Sequence, residues 1–140
     1  MKKIFTLIAA SFIFILVSCE DKDTDSEVLP EFGTISGIIN FSGNWPDSGE
    51  VLITLDIAYP PQGPPARFVY ITNEDLENGT YDYNFTNLSF TSYDAITVTY
   101  WPLGYGTAGS NYSLIGSYIN TINVTQDDPD ITIDIDATFE

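Results

Sequence analysis

From residue 33 onward, apolar and polar residues alternate with a period of two. The clearest run lies near the C-terminal end, where Ile131, Ile133, Ile135, Ala137 and Phe139 alternate with threonine and aspartate. Successive side chains of a β-strand point to opposite faces of its sheet, so this period indicates strands with one buried side and one side facing water. The 3.6-residue period of an amphipathic helix is absent here. The pattern therefore predicts an all-β fold.

Six further segments carry the same alternation or a shorter β-rich version of it. They are 35–41, 51–59, 68–72, 81–85, 96–100 and 114–124, and the in/out register of the last one stays open. Their polar positions are predicted to face water, together with those of the C-terminal run, namely Thr54, Asp56, Asp82, Asn84, Thr97, Thr99, Thr132, Asp134 and Asp136. Clusters of Gly, Pro, Asn and Asp separate the runs, as turns require.

About seven short strands in roughly a hundred residues are typical of two sheets packed face to face. We therefore expect a seven-stranded antiparallel Greek-key sandwich, prealbumin-like or immunoglobulin-like, that forms a single domain over residues 33–140.

The N-terminal segment has the features of an export signal. Met1-Lys2-Lys3 is followed by an apolar stretch over 4–16 and then by Cys19, the single cysteine. The apolar stretch is shorter than the roughly 20 residues of a membrane-spanning helix. The sequence Leu-Val-Ser-Cys that ends at Cys19 resembles the lipobox of bacterial lipoproteins, which implies cleavage of residues 1–18 and diacylation of Cys19. The alternative is an ordinary secretory signal followed by a free thiol.

Residues 19–32 are dominated by acidic side chains and show no hydrophobic period. Such a segment buries too little apolar surface to offset its ordering entropy, so we expect a disordered tether. The acidic run directly after the cysteine resembles the signal that sends some lipoproteins to the outer face of the outer membrane, and a solvated spacer is the alternative. The expected location is the bacterial cell envelope, at the outer membrane, on its periplasmic or surface face.

The charge balance excludes several classes of partner and chemistry. The chain has four basic and twenty acidic residues, a net charge of −16 and no histidine. Loss of residues 1–18 would leave Lys22 and Arg67 as the basic residues, too few to bind nucleic acid or an anionic lipid surface. Without histidine or a second cysteine, neither a Ser–His–Asp or Cys–His nucleophile nor a histidine-ligated zinc can form. A carboxylate pair, as in glycosidases, is the remaining catalytic option. We expect no enzymatic activity and no cofactor.

Several segments match the motifs of one known family. Ile35-Ser36-Gly37-Ile38-Ile39 stands for an Ile-x-Gly-x-Val first strand, and Tyr93 and Val98 match the return strand. Residues 80–88 stand for the Gly-x-Tyr-x-Phe-x-x-Leu hairpin strand, with Gly79 as the glycine before the hairpin. The chain thus resembles carboxypeptidase regulatory-like domains, which are prealbumin-like (transthyretin-like) sandwiches, over about half of the domain. Residues 90–92 lack the Pro and Gly usual in the family, so the hairpin turn can differ. The resemblance implies a non-catalytic accessory module and carries over no functional residue.

Four aromatic residues in loops are candidates for ligand binding, namely Trp45, Trp101, Tyr105 and Tyr112. Because antiparallel strands reverse direction, we expect the Trp45, Glu74-Asp75 and Trp101–Tyr105 loops at one end of the sandwich. The Tyr59–Pro61 and Asp127–Asp130 loops should lie at the other end. Aromatic rings flanked by carboxylates and amides can stack on sugar rings. The alternative is that these aromatics close the end of the hydrophobic core.

The sequence therefore predicts a lipid-anchored envelope protein with a non-catalytic β-sandwich module, in a structural or protein-interacting role. The alternative is a carbohydrate-binding surface lipoprotein that uses its loop aromatics. The expected partners are the membrane, through the lipid on Cys19, and an envelope protein or polysaccharide. The Asp127–Asp130 cluster could bind calcium or form a solvated turn, and it lacks the Asp-x-Asp-x-Asp-Gly spacing of a dedicated calcium loop. No metal site is predicted.

Overall fold

The computed structural model describes residues 29–107, 109 and 111–140. The predicted signal peptide, Cys19 and residues 19–28 of the predicted tether lie outside the described residues. Within them the chain forms ten β-strands, one short 3-10 helix and no α-helix, so the predicted all-β class is confirmed. The strands are β1 Gly33–Ser42, β2 Glu50–Asp56, β3 Arg67–Ile71, β4 Thr80–Leu88, β5 Ser92–Tyr93, β6 Ala95–Trp101, β7 Ser113–Tyr118, β8 Ile122–Asn123, β9 Asp130–Thr132 and β10 Ile135–Thr138.

The 3-10 helix spans Asn73–Asp75, between β3 and β4. No helix in the described part of the chain reaches the length and apolarity needed to cross a membrane.

The long strands form two sheets around one hydrophobic core. In sheet A, β1 lies in the middle, with β4 on one side and both β9 and β10 along the other. Sheet B has the order β3-β2-β6-β7, and the short strands β5 and β8 pair separately. Ile39 of β1, Ile53 of β2 and Val98 of β6 are fully buried in the shared core cluster. The arrangement is consistent with a β-sandwich.

The pairing of the first and last strands differs from the all-antiparallel prediction. Strand β1 pairs in parallel with β9 through Ile35 and Ile131, and in parallel with β10 through Ile39 and Ile135. Parallel neighbours need a long connection between them, whereas a hairpin joins only antiparallel strands. Here nearly the whole domain forms that connection, so the two ends of the domain meet in one sheet.

The C-terminal run is two strands instead of one, because it breaks at Ile133 and Asp134. The Ile133 carbonyl oxygen accepts a hydrogen bond of 2.6 Å from the Tyr83 hydroxyl, and burial raises the pKa of that phenol, which keeps it protonated. Asp134 Oδ1 accepts a hydrogen bond of 2.8 Å from the Ile38 amide. A side chain thus replaces a backbone carbonyl as the acceptor for β1 at this break. Gly37 lies opposite the break, and a Cβ placed there would lie 1.8 Å from the Ile133 oxygen.

The expected hairpin between residues 80–88 and 95–98 does not form. Strand β4 pairs with β1 in sheet A, whereas β6 pairs with β2 and β7 in sheet B. Residues 89–94 therefore carry the chain from one sheet to the other. The motif residues Tyr83, Phe85 and Leu88 all point into the core from β4.

Strands β2 and β6 are buried on both faces, which corrects part of the predicted water-facing side. Thr54, Asp56, Thr97 and Thr99 are only 9 %, 4 %, 5 % and 6 % exposed. Strand β2 also ends at Asp56 instead of Tyr59, and Ile57 beyond it is 61 % exposed. The cause is that the segments after β2 and β6 fold back over the outer face of sheet B, the face turned away from the core. The other five predicted positions are exposed, as expected; they are Asp82, Asn84, Thr132, Asp134 and Asp136.

We predict that Gly37→Ala lowers the free energy of unfolding by about 3 kcal/mol, because the added methyl group must displace the Ile133 carbonyl in a closely packed sheet. The matched control is Gly63→Ala, where a Cβ would meet no atom within 4 Å. Chemical denaturation of both variants measures the difference. Equal stabilities would show that the break between β9 and β10 tolerates a side chain at residue 37.

Candidate ligand-binding cleft

A cleft of about 230 Å³ opens on the outer face of sheet B, and we refer to it as the outer-face cleft. Its floor consists of Thr54 and Asp56 from β2 and Thr97 and Thr99 from β6. Its walls come from β7 and from the two segments that follow these strands, and the wall residues are Tyr59, Pro60, Pro61, Gly63, Pro65, Trp101, Tyr105, Tyr112 and Leu114. The cleft therefore combines a buried polar floor with walls rich in aromatic and proline side chains.

The floor is a chain of hydrogen bonds set by strand register. Thr54 lies directly opposite Thr97 in the antiparallel β2–β6 pair, and their Oγ1 atoms are 2.7 Å apart. The Thr54 hydroxyl donates to Asp56 Oδ2 at 2.8 Å. Because a threonine hydroxyl has one proton, Thr97 must be the donor in its contact with Thr54. The protons of both hydroxyls are thus directed toward the carboxylate.

Asp56 is the ionisable group of the floor. Burial raises the pKa of its carboxyl, and the hydrogen bond from Thr54 opposes this effect in part. Its Oδ1 atom has no hydrogen-bond partner among the described residues. Every fully buried side-chain nitrogen or oxygen among those residues does have a partner, so Oδ1 is not fully buried. Oδ1 therefore keeps some contact with solvent, and Asp56 is one of the residues that line the cleft.

Three aromatic rings form one wall. The rings of Trp101 and Tyr112 stack with centroids 4.6 Å apart, and Tyr105 meets Trp101 edge-on at 4.9 Å. Trp101 Nε1 donates to Thr99 Oγ1 at 2.8 Å, so the wall is bonded to the floor. Glu50 Oε2 accepts a hydrogen bond of 2.7 Å from the Tyr105 amide and holds that segment over sheet B.

Trp45, the fourth predicted aromatic, lies elsewhere. Its ring contacts Phe41 and Phe139 at centroid distances of 5.2 Å and 5.0 Å, at an end of the hydrophobic core. It borders Asn73 and Glu74, which agrees with the expected grouping of those two loops. For Trp45 the geometry matches the alternative in which an aromatic residue closes the core.

The expected separation of the Tyr59–Pro61 and Trp101–Tyr105 loops is wrong. Both line the outer-face cleft. They leave opposite ends of the antiparallel pair β2–β6, but each folds back over the sheet instead of staying at its end.

The polar floor was missed by the sequence prediction, which assigned Thr54, Asp56, Thr97 and Thr99 to a water-facing surface. One sequence signal could have found it. A proline-rich segment follows Asp56 and an aromatic segment follows Trp101, and both are long enough to cover the strands that they leave. The alternation of residues shows which face is outer, whereas these segments decide whether that face is open to water.

The Asp127–Asp130 segment forms a turn in which Asp127, Asp128 and Asp130 are exposed. The Asp128 amide bonds Thr125 Oγ1 at 3.0 Å, and the Thr125 amide bonds the Asp128 carbonyl at 3.1 Å. The described residues contain no cluster of three or more side chains placed to hold a metal ion.

No protein-family model matches this chain, and no curated protein and no solved structure matches it either. What the cleft can bind is therefore inferred from its own residues.

We predict that Asp56→Asn changes how stability depends on pH. The folded-state pKa of Asp56 lies above its ordinary value of 3.8, so the folded protein holds this proton more tightly than the unfolded chain does. The free energy of unfolding of the wild type therefore loses this contribution as pH rises from 3.8 through the raised pKa. The variant lacks the carboxyl, so its stability relative to the wild type increases over the same range.

Urea denaturation at several pH values measures this difference. The control is Asp82→Asn, an exposed aspartate of β4. The other ionisable groups near Asp56 are the phenols of Tyr59, Tyr105 and Tyr112 and the carboxylate of Asp94, and both variants retain them. A difference between Asp56→Asn and wild type that stays constant with pH would contradict the assignment.

Proposed function

We propose that this chain is a lipid-anchored, non-catalytic module of the bacterial cell envelope that binds carbohydrate in the outer-face cleft. The observation that carries the proposal is that Trp101, Tyr105 and Tyr112 stand beside a buried floor of hydroxyls and one carboxylate. Small-ligand sites combine apolar and aromatic walls with a few placed polar groups. A sugar ring has an apolar face for the aromatic wall and hydroxyl groups for the floor.

The size of the cleft favours one sugar ring over a long chain. Sites for drug-sized molecules enclose roughly 300–1,000 Å³. The outer-face cleft has about 230 Å³ and is open to solvent on one side. A terminal or branching sugar unit of a larger glycan would fit, with the rest of the glycan outside.

The proposal of a non-catalytic role is supported by the residues around the ligand space. Glycosidases use two carboxyl groups on opposite sides of the scissile bond, roughly 5–9.5 Å apart. Among the described residues that line the cleft, Asp56 supplies the single carboxylate. The chain also has no histidine that could act as a base.

The finer fold and the location are part of the same proposal. We propose a Greek-key sandwich of the prealbumin-like or immunoglobulin-like kind. Tyr83, Phe85 and Leu88 support this because all three lie in the core at the spacing of the family motif. The location at the outer membrane, on its periplasmic or surface face, is supported by the Leu-Val-Ser-Cys sequence at Cys19 and by the acidic segment behind it.

We predict that Tyr112→Ala weakens glycan binding about tenfold, or about 1.4 kcal/mol, because it removes a ring from the aromatic wall. The matched control is Tyr70→Ala, since Tyr70 and Tyr112 are both 46 % exposed and both lie on or beside edge strands of sheet B. Only Tyr112 lines the cleft. A glycan array identifies ligands for the full chain, and titration calorimetry gives the affinities. Absence of binding to every glycan would refute the carbohydrate proposal.

We predict that Cys19→Ser carries no lipid and keeps residues 1–18, because a hydroxyl replaces the thiol at which diacylation and cleavage occur. Mass spectrometry of the wild-type chain should show a diacylated cysteine at the mature N-terminus, and Ser26→Ala serves as a control in the same segment. An unmodified thiol in wild type would contradict anchoring. Protease treatment of whole cells then separates a surface location from a periplasmic one.

A structural or protein-interacting role is the second candidate, and one observation favours it. Strand β3 has a neighbour on one side only among the described residues, and it exposes Phe68 and Tyr70 by 50 % and 46 %. An edge strand with exposed aromatics can pair with a strand of another protein. Tyr70→Ala distinguishes the two candidates, because it should weaken the binding of a partner protein to β3 and leave glycan binding unchanged.

A further inference from the structure

The outer-face cleft contains one formal negative charge with an unused acceptor. Asp56 is 4 % exposed and lines the cleft, its Oδ2 is bonded to Thr54, and its Oδ1 has no hydrogen-bond partner among the described residues. A buried carboxylate is stabilised when its remaining lone pairs meet hydrogen-bond donors, and most strongly when the donor is a cation. The unused oxygen therefore specifies a donor on the ligand.

The neighbouring hydroxyls cannot supply a donor to the ligand, because their protons are already committed. Thr97 donates to Thr54, and Thr54 donates to Asp56. At this end the floor offers the ligand only acceptors, namely Asp56 Oδ1 and the remaining lone pairs of Thr97 Oγ1. Thr99 differs, because it accepts from the Trp101 indole and keeps its own proton. The floor thus has an acceptor end at Asp56 and a donor at Thr99.

The protein supplies no counter-ion to Asp56 within the described residues. Arg67 is the single basic side chain there, and its guanidinium donates to the carbonyl oxygens of Ala66 and Asn87 at 2.8 Å and 2.9 Å. Tyr112, which is 46 % exposed and lines the cleft, adds a second attraction for positive charge, since the face of a Tyr ring attracts cations. The net charge of −16 raises the concentration of cations near the surface.

We infer that the outer-face cleft selects a sugar that carries a free protonated amine, with the ammonium group at Asp56 Oδ1 and a hydroxyl oxygen of the ring at Thr99. An ammonium has three donors and no acceptor, which matches the acceptor end of the floor. The inference rests on the proposed carbohydrate function and adds the class of sugar.

Two disaccharides that differ in one group test this inference. One is the β-1,4-linked dimer of glucosamine, and the other is the same dimer with both amines acetylated. Each is titrated calorimetrically into the full lipidated chain in detergent at about pH 6, where the amine is protonated. We expect the amine form to bind at least tenfold more tightly. Asp56→Asn should abolish this preference by weakening the binding of the amine form at least tenfold.

The matched control is Asp94→Asn. The backbone amide of Asp94 donates to the backbone carbonyl of Asp56 at 2.9 Å, and Asp94 does not line the cleft. The substitution therefore removes a neighbouring charge without changing the lining of the cleft. It should retain the preference for the amine. Loss of the preference in Asp94→Asn as well would mean that overall charge attracts the amine, and the inference would be overturned.

The remaining outcomes separate the inference from the proposed function. Equal or tighter binding of the acetylated dimer overturns the amine preference and leaves carbohydrate binding intact. If neither dimer binds but other glycans do on the array, the inference is again overturned and the function stands. If no glycan binds at all, both are refuted.

Discussion

The polar side chains on the outer face of sheet B have lost most of their contact with water, and this burial determines how that face is built. A buried hydroxyl or carboxylate without a partner costs roughly 1–3 kcal/mol. Thr97, Thr54 and Asp56 meet this constraint by bonding one another, and Thr99 bonds the Trp101 indole. The segments that exclude water from these residues also supply the aromatic wall. Floor and wall of the cleft therefore arise from one event, the folding of two connecting segments over the sheet.

The sequence was sufficient to predict the fold class, because strand alternation depends only on which residues avoid water. It predicted the all-β class and the exposed faces of β4, β9 and β10, including Asp82 and Asp136. It could not predict which strands pair, since that depends on how sheet edges meet in three dimensions. The parallel pairing of β1 with β10 and the separation of β4 from β6 are both of this kind. The break at Ile133 was also hidden, because the alternation of residue types continues through it.

The candidate site could be predicted only in part, for a related reason. Aromatic residues in loops can be identified from the sequence alone, and Trp101, Tyr105 and Tyr112 do lie together. Trp45 instead packs against Phe41 and Phe139. Asp56 looked like an ordinary solvent-facing residue because its neighbours in sequence fit a half-buried strand. Its environment is set by the proline-rich residues that follow β2 and by Trp101, Tyr105 and Tyr112, which reach it only after the chain has folded. When segments distant in sequence cover a sheet face, the local pattern of residues on that face does not indicate it.

The position of β1 has a mechanical consequence. The strand directly follows the N-terminal segment and lies between β4 and the β9–β10 pair, so hydrogen bonds hold it along both edges. A pull on the N-terminal segment that is resisted by the rest of the domain loads β1 along its own axis. Force in that direction shears all of these bonds together instead of opening them one after another. Under the proposed function, this architecture suits β1 to bear load between the lipid anchor and a bound glycan.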